Sequence, residues 1–318
     1  MAYRFIILLA VLLSACNSDK REAEIRQIPM EIEVIRFDSL FFNTPSAQLP
    51  LLESEFPYMF PGDVPDSVWI EKQHDTLQTE LYDEVRKQFG DFSKEKKEIA
   101  DLFRHIKYYF PKFEPPKIIT LTSDVDYHSR VIYADSLLLI GLDNYLDKDH
   151  RFYANIQEYI RFHLQKENVT TDIAEVFAEQ LVPRKQHLSF LDVMIYEGKK
   201  LYAMQQLLPQ KTETELLGYD PKKWQWAEAN EAEIWRYYIE NELLYQSDKR
   251  LLNRFIYPAP FSKFYMELDQ ESPGRIGRYI GLKIVTSYMK KHPETSLVQM
   301  LALNSDELFK QSYYKPKK

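Results

Sequence analysis

The sequence predicts an α+β fold, predominantly helical, with a small antiparallel sheet in the N-terminal half. Three observations carry that reading. Aromatic residues are abundant and glycine is scarce, with 22 Tyr and 19 Phe against 8 Gly in 318 residues, which suits densely packed helices better than a turn-rich sandwich. Short alternating or continuous apolar runs, the mark of strands, occur only before residue 143. From Asp143 onward the apolar residues recur at helical spacings, and strands followed by helices make an α+β domain.

At the N-terminus, Arg4 precedes an apolar run over residues 5–13, too short to span a bilayer. The run ends in Leu13-Ser14-Ala15-Cys16, the small-residue pattern before an acylated cysteine, and Cys16 is the sole cysteine of the chain. Residues 1–15 are therefore expected to be a lipoprotein signal peptide, 16–28 an acylated tether and 29–318 the folded domain. Lipid on Cys16 would hold the protein at a membrane, inner or outer, without a transmembrane helix.

Met30, Ile32 and Val34, followed by Ile35 and Phe37, predict a first strand ended by Asp38-Ser39. Residues 44–66 hold Pro45, Pro50, Pro57, Pro61 and Pro65 and are expected to lack regular structure, yet their Leu, Phe and Tyr content suits a segment wrapped onto the body. Leu77, Leu81 and Val85, then Ile99, Phe103 and Ile106, predict helix over 70–110 with a break at Gly90-Asp91. Strands are predicted at 117–122, 131–134 and 137–142, the last two as a hairpin.

Helices follow over 155–165, 172–183, 189–209, 230–245, from Ser272-Pro273 to Lys291, and over 296–310. Asp172 is read as an N-cap with Glu175 at its capping-box position, Ser189 and Asp192 cap the next helix, and Asn230 pairs with Glu233. Gly198 within a helix costs about 1 kcal/mol relative to alanine, so it implies a close backbone approach. Gly277 and Gly281, four apart, predict a close helix–helix contact.

The formal charge of −7 excludes the electrostatic footprint of a nucleic-acid binder. No G-x-S-x-G, Walker A, G-x-G-x-x-G or C-x-x-C pattern is present. Ala174-Glu175-Val176-Phe177-Ala178, with Glu197-Gly198 some twenty residues later, has the spacing of a zinc peptidase, but both histidine places of H-E-x-x-H are alanine. Zinc needs three protein ligands, and Glu197 alone cannot hold it. Of the seven histidines, His163 or His187 could serve only a rearranged site. Lesser readings are a phosphate site at Gly274 and Arg275 and a binding face made by Trp224, Trp226 and Trp235.

A family resemblance rests on Phe152-Tyr153 with Glu158-Tyr159-Ile160-Arg161, on the runs 176–183, 190–196 and 198–202, on Asn230-Glu231 with Ile234-Trp235, and on 254–264, 272–277 and 314–317. Taken in order, these resemble the GldB family of gliding-motility lipoproteins of the Bacteroidetes. The resemblance implies a periplasm-facing envelope lipoprotein of the gliding and type IX secretion set, with other envelope proteins of that apparatus as partners and no catalysis. It further implies a zincin-like peptidase fold that has lost its metal: Glu175 in the place of the general base, Glu197 in that of the third ligand, and vestigial Ala174 and Ala178. No cofactor or metal is expected. Asp-Ser/Thr-apolar triplets at Ser39, Ser67, Thr76 and Ser136 resemble O-glycosylation sites of exported proteins of that phylum; as plain sequence they are also ordinary turn and cap residues. Competing functions are a metal-dependent peptidase with a rearranged site and a ligand- or glycan-binding envelope lipoprotein.

Overall fold

The computed structural model describes residues 20–134, 136–184, 189–266 and 269–316. Cys16, and with it the signal peptide, lies outside the described residues. Residues 20–26 are helical (α1), and they do not hang free as a tether. Ile25 is fully buried, Glu22 Oε2 lies 3.1 Å from His105 Nε2, and Arg104 donates to the Ile28 carbonyl. The polar sequence hid this because one buried isoleucine and two polar contacts suffice to dock a short helix.

The predicted first strand is shorter than its alternation suggested. β1 is Val34–Arg36, and the chain turns at once into α2, Phe37–Asn43. Asp38 does not end a strand: its buried carboxylate takes a bidentate pair from Arg36 and a hydroxyl from Thr120 of the sheet. The proline-rich stretch contains α3, Leu49–Glu55, which Pro50 helps to begin. Its Leu49, Leu52, Phe56 and Phe60 pack with Phe37, Phe41 and Ile119 as a small second core, as a wrapping segment should. α4 (Asp66–His74), α5 (Thr76–Phe89) and α6 (Ser93–Tyr109) follow. Gly90, at φ 52°, closes α5 at the predicted break.

β2 (Lys117–Leu121), β3 (Val131–Ala134) and β4 (Leu137–Gly141) complete a four-stranded sheet in the order β1-β2-β4-β3. This corrects the antiparallel expectation. Only the β3–β4 hairpin is antiparallel, while β1–β2 and β2–β4 are parallel. Burial explains the order: β4 carries fully buried Leu138 and Ile140 and takes an interior place, whereas β3 alternates with Ile132 exposed and goes to the edge.

The remainder is helical. Between 155 and 165 only α7, Glu158–Arg161, is α-helix, the rest being turns. α8 (Val169–Leu181), α9 (Phe190–Leu207), α10 (Glu213–Leu217), α11 (Pro221–Ala229), α12 (Glu231–Glu240) and α13 (Arg250–Phe255) lead to α14, Ile276–Lys291. The single terminal helix expected is two, α15 (Leu297–Ala302) and α16 (Ser305–Ser312), each with its own side-chain cap. Asn230 makes no capping box, and its side-chain amide donates to the Trp226 carbonyl instead. Ser272 does not start α14 either, because its hydroxyl is used by Ser262 and Asp269, and Arg275 stands at the helix start with φ 61°.

α9 and α14 form the centre of the helical layer. Both bury residues on every side, as helices enclosed by other helices must. They cross with backbones almost touching. A Cβ on Gly281 would lie 1.8 Å from the Met194 carbonyl oxygen, and one on Gly198 2.2 Å from the Gly281 carbonyl carbon. Gly277 packs instead against the Phe255 carbonyl of α13 and the Ile256 side chain, while the close contact read from Gly198 and Gly281 is present, and α8 packs on α9 beside that crossing point.

Candidate functional site

Around that point sits a cluster of buried charge. α8 supplies Glu175, α9 supplies Glu197 and Lys200, and α14 supplies Arg278. Arg278 Nη2 donates to Glu175 Oε1 at 2.6 Å, and its Nε lies 3.1 Å from Glu197 Oε2, an ion pair off the line of a hydrogen bond. Lys200 Nζ donates to Glu197 Oε1 at 3.3 Å and to Glu179 Oε1 at 2.9 Å, and stands 3.7 Å from Glu175 Oε1. The cations are the deeper members: the Arg278 side chain is 6% exposed and that of Lys200 4%, against 29% for Glu175. Two carboxylates from neighbouring helices are thus bridged by a guanidinium and an ammonium.

The electrostatics follow from this placement. Burial alone would raise the Glu175 carboxyl, but Arg278, Lys200, Arg275 and Arg130 outweigh it and hold the group well below the usual carboxylate range. Burial opposes the charge on Lys200 while Glu175 and Glu197 favour it, and the balance raises the ammonium above its ordinary value. A carboxylate held so firmly ionised is a poor general base at neutral pH, since efficient bases sit near the working pH. Among the described residues, no three His, Cys, Asp or Glu side chains are grouped so that they could hold a metal ion.

The structure also replaces the bland account of Glu175. α8 begins at Val169, so Asp172 lies inside the helix and caps nothing. Its carboxylate instead receives both arms of Arg130, one at 2.8 Å, and the hydroxyl of fully buried Tyr145 at 2.8 Å. That pair ties the β3–β4 region to α8. Ser189 and Asp192, by contrast, do form the expected capping box on α9. Ala174 and Ala178 are both fully buried in the main core, so the faces where a peptidase would carry imidazoles are packing surface here.

His163 is drawn into the same neighbourhood but is already used. Arg275 donates Nη2 to its Nε2 at 2.9 Å and to the Leu217 carbonyl at 3.0 Å, and Gly218 packs against the ring. Burial, with Arg275 and Arg130 nearby, keeps the imidazole well below its ordinary value and therefore neutral. Arg275 thus points inward and serves no phosphate at Gly274. His187 lies outside the described residues. Trp224 packs edge-on against Tyr279, and Trp235 against Tyr314, so neither offers an open face. Of the triplet hydroxyls, Ser67, Thr76 and Ser136 are exposed, while Ser39 is half-buried against Tyr82.

Sequence reasoning missed Arg278, Lys200 and Arg130. The signal for the first two was available: Arg278 lies between Gly277 and Gly281, and Lys200 follows Glu197 at i,i+3 on the helix that meets them. Clefts of about 690 Å³ beside α6 and about 560 Å³ beside α7 are lined by other residues and do not include Glu175 or Glu197.

A family model described as "Gliding motility protein GldB" matches residues 18–316. The chain belongs to this family. No curated protein and no solved structure matches it. The match takes in both carboxylates, both cations and the glycine crossing, so the charge cluster lies wholly inside the GldB-type region. No described helix is long and apolar enough to cross a membrane.

Proposed function

We propose that this GldB-family chain is a non-catalytic, lipid-anchored, periplasm-facing component or assembly factor of the gliding-motility and type IX secretion apparatus. The observation that carries the non-catalytic half is the pairing of Glu175 and Glu197 with Arg278 and Lys200. In a zincin-like frame the two carboxylates would serve a metal and its water. Here two protein cations balance them, and the imidazole positions are Ala174 and Ala178. The cluster reads as a pseudo-peptidase junction kept for its fold, with Cys16 as the lipid attachment point and other envelope proteins as partners.

The test pairs a genetic with a chemical readout. Deleting the gene should abolish gliding or cargo secretion, and the chain with Glu175→Gln, at normal abundance, should restore it. Glutamine keeps the shape and one acceptor for Arg278, so an enzyme would lose its base while a scaffold would keep its junction. Metal analysis of the purified protein should give no stoichiometric zinc. One zinc per chain, lost on Glu197→Ala, would establish the rearranged-peptidase reading instead.

A further inference from the structure

We infer that the face formed by α1, the end of α6 and the C-terminal end of α9 lies against the bilayer surface, so that the protein is held flat on its membrane. This rests on the lipid anchor at Cys16 proposed above and adds an orientation to it. The first argument is chain length. α1 is docked from Lys20 onward, and Cys16 precedes Lys20 by four residues, a reach of about 14 Å even when fully extended. The headgroup layer takes up about 5–7 Å of that distance. What remains is about 8 Å between the headgroup surface and the start of a helix fixed to the body.

The second argument is the chemistry around that helix start. Arg21 Nη1 donates to Gln206 Oε1 of α9 at 3.3 Å, and the Tyr109 hydroxyl of α6 reaches the same oxygen at 3.4 Å. The Arg21 charge also acts on Tyr202. Tyr108 stacks edge-on against Tyr109 with ring centroids 5.1 Å apart, and all three tyrosines are half-buried. Lys20, the residue before Arg21, is exposed. Tyrosines with an apolar body and a polar tip, flanked by Lys and Arg, suit the boundary between headgroups and water. Both the short reach and this surface point to a phospholipid headgroup layer as the occupant.

The experiment uses the full-length acylated protein in phosphatidylethanolamine/phosphatidylglycerol vesicles. Cys16 carries the lipid, so an introduced cysteine is the only free thiol. A bimane label on Tyr108→Cys, and separately on Ala23→Cys of α1, should be quenched at least twofold by a headgroup-region spin-labelled lipid. Inserting twenty Gly/Ser residues between Asp19 and Lys20 should abolish that quenching. Two labels guard against one variant misfolding. Absent quenching with the acyl mass present on Cys16 overturns the orientation alone. Quenching that survives the insertion overturns the short-reach argument, and absence of the acyl mass overturns both this inference and the anchored reading beneath it.

Discussion

α14 meets its neighbours in two unlike ways within one turn. At Gly281 the contact is one of shape, with backbone against backbone and no room for a methyl group. At Arg278 it is one of charge, with a buried guanidinium balanced by carboxylates from α8 and α9. The shape contact is intolerant of any added atom and indifferent to charge. The charge contact is intolerant of losing one member, yet should tolerate losing all of them together, because the desolvation cost disappears with the charges. The first therefore fixes where the helices lie. The second ties α8, α9 and α14 together through the balance of their charges.

The largest effect is expected on the charge side. Arg278→Met leaves Glu175 and Glu197 with Lys200 as their one remaining ion-pair partner among the described residues, and should cost about 3–5 kcal/mol, read as a lower urea midpoint at unchanged slope. Adding Glu175→Gln and Glu197→Gln to that variant should return most of the loss. If the triple variant is no better than Arg278→Met, the cluster is not a charge balance and the contrast with Gly281 fails. Gly281→Ala comes next. Overpacking usually costs 1–3 kcal/mol, and because the clash is with Met194 backbone rather than a flexible side chain, about 3 kcal/mol is expected.

The two contacts were not equally legible in the sequence. Glycine in mid-helix is expensive, so Gly198, Gly277 and Gly281 announce a backbone contact from local propensity alone. Arg278, Lys200 and Arg130 announce nothing, because a cation on a helix is ordinary until its surroundings are known. Helix existence was mostly readable from apolar spacing, and the capping box at Ser189 from its motif. Asp172 was misread because a helix start at Val169, six residues after His163, could not be placed without the turns around it. The strand order needed burial: β4 is interior because its leucines and isoleucine find core on the sheet, a long-range fact that adjacency in sequence does not supply. Docking of α1 was illegible for the same reason, since its partners His105, Arg104 and Gln206 are distant in the chain.

A third variant separates charge from shape by pH. Glu175 has its carboxyl lowered in the folded state, so its contribution is fully present above the ordinary carboxylate value of 4.5 and erodes as pH falls toward the depressed folded value. Glu175→Gln removes that contribution. The variant should therefore be less stable than the parent by about 1–2 kcal/mol at about pH 7, and the gap should close as the solution is acidified below 4.5. Gly281→Ala has no ionisable group at stake, so its deficit should stay constant over the same range. Thermal unfolding of both variants across that range checks this, and a pH-independent gap for Glu175→Gln would remove the electrostatic account.

The smallest effect tests whether the two contacts are local. Ser189 caps α9 five residues before Met194, where a methyl on Gly281 would strike, about 8 Å along the helix, and shares no hydrogen-bond partner with either contact. Ser189→Ala should cost about 1 kcal/mol for the lost cap. Combined with Gly281→Ala, the two costs should add to within about 0.5 kcal/mol. Glu197→Gln combined with Arg278→Met should fall well short of the sum, since each removes the other's partner. Additivity in that second pair would mean that Glu197 and Arg278 act independently despite their 3.1 Å separation. Non-additivity in the first pair would mean that strain at the glycine crossing reaches back from Met194 to the first turn of α9, so that shape at the crossing is felt at the cap.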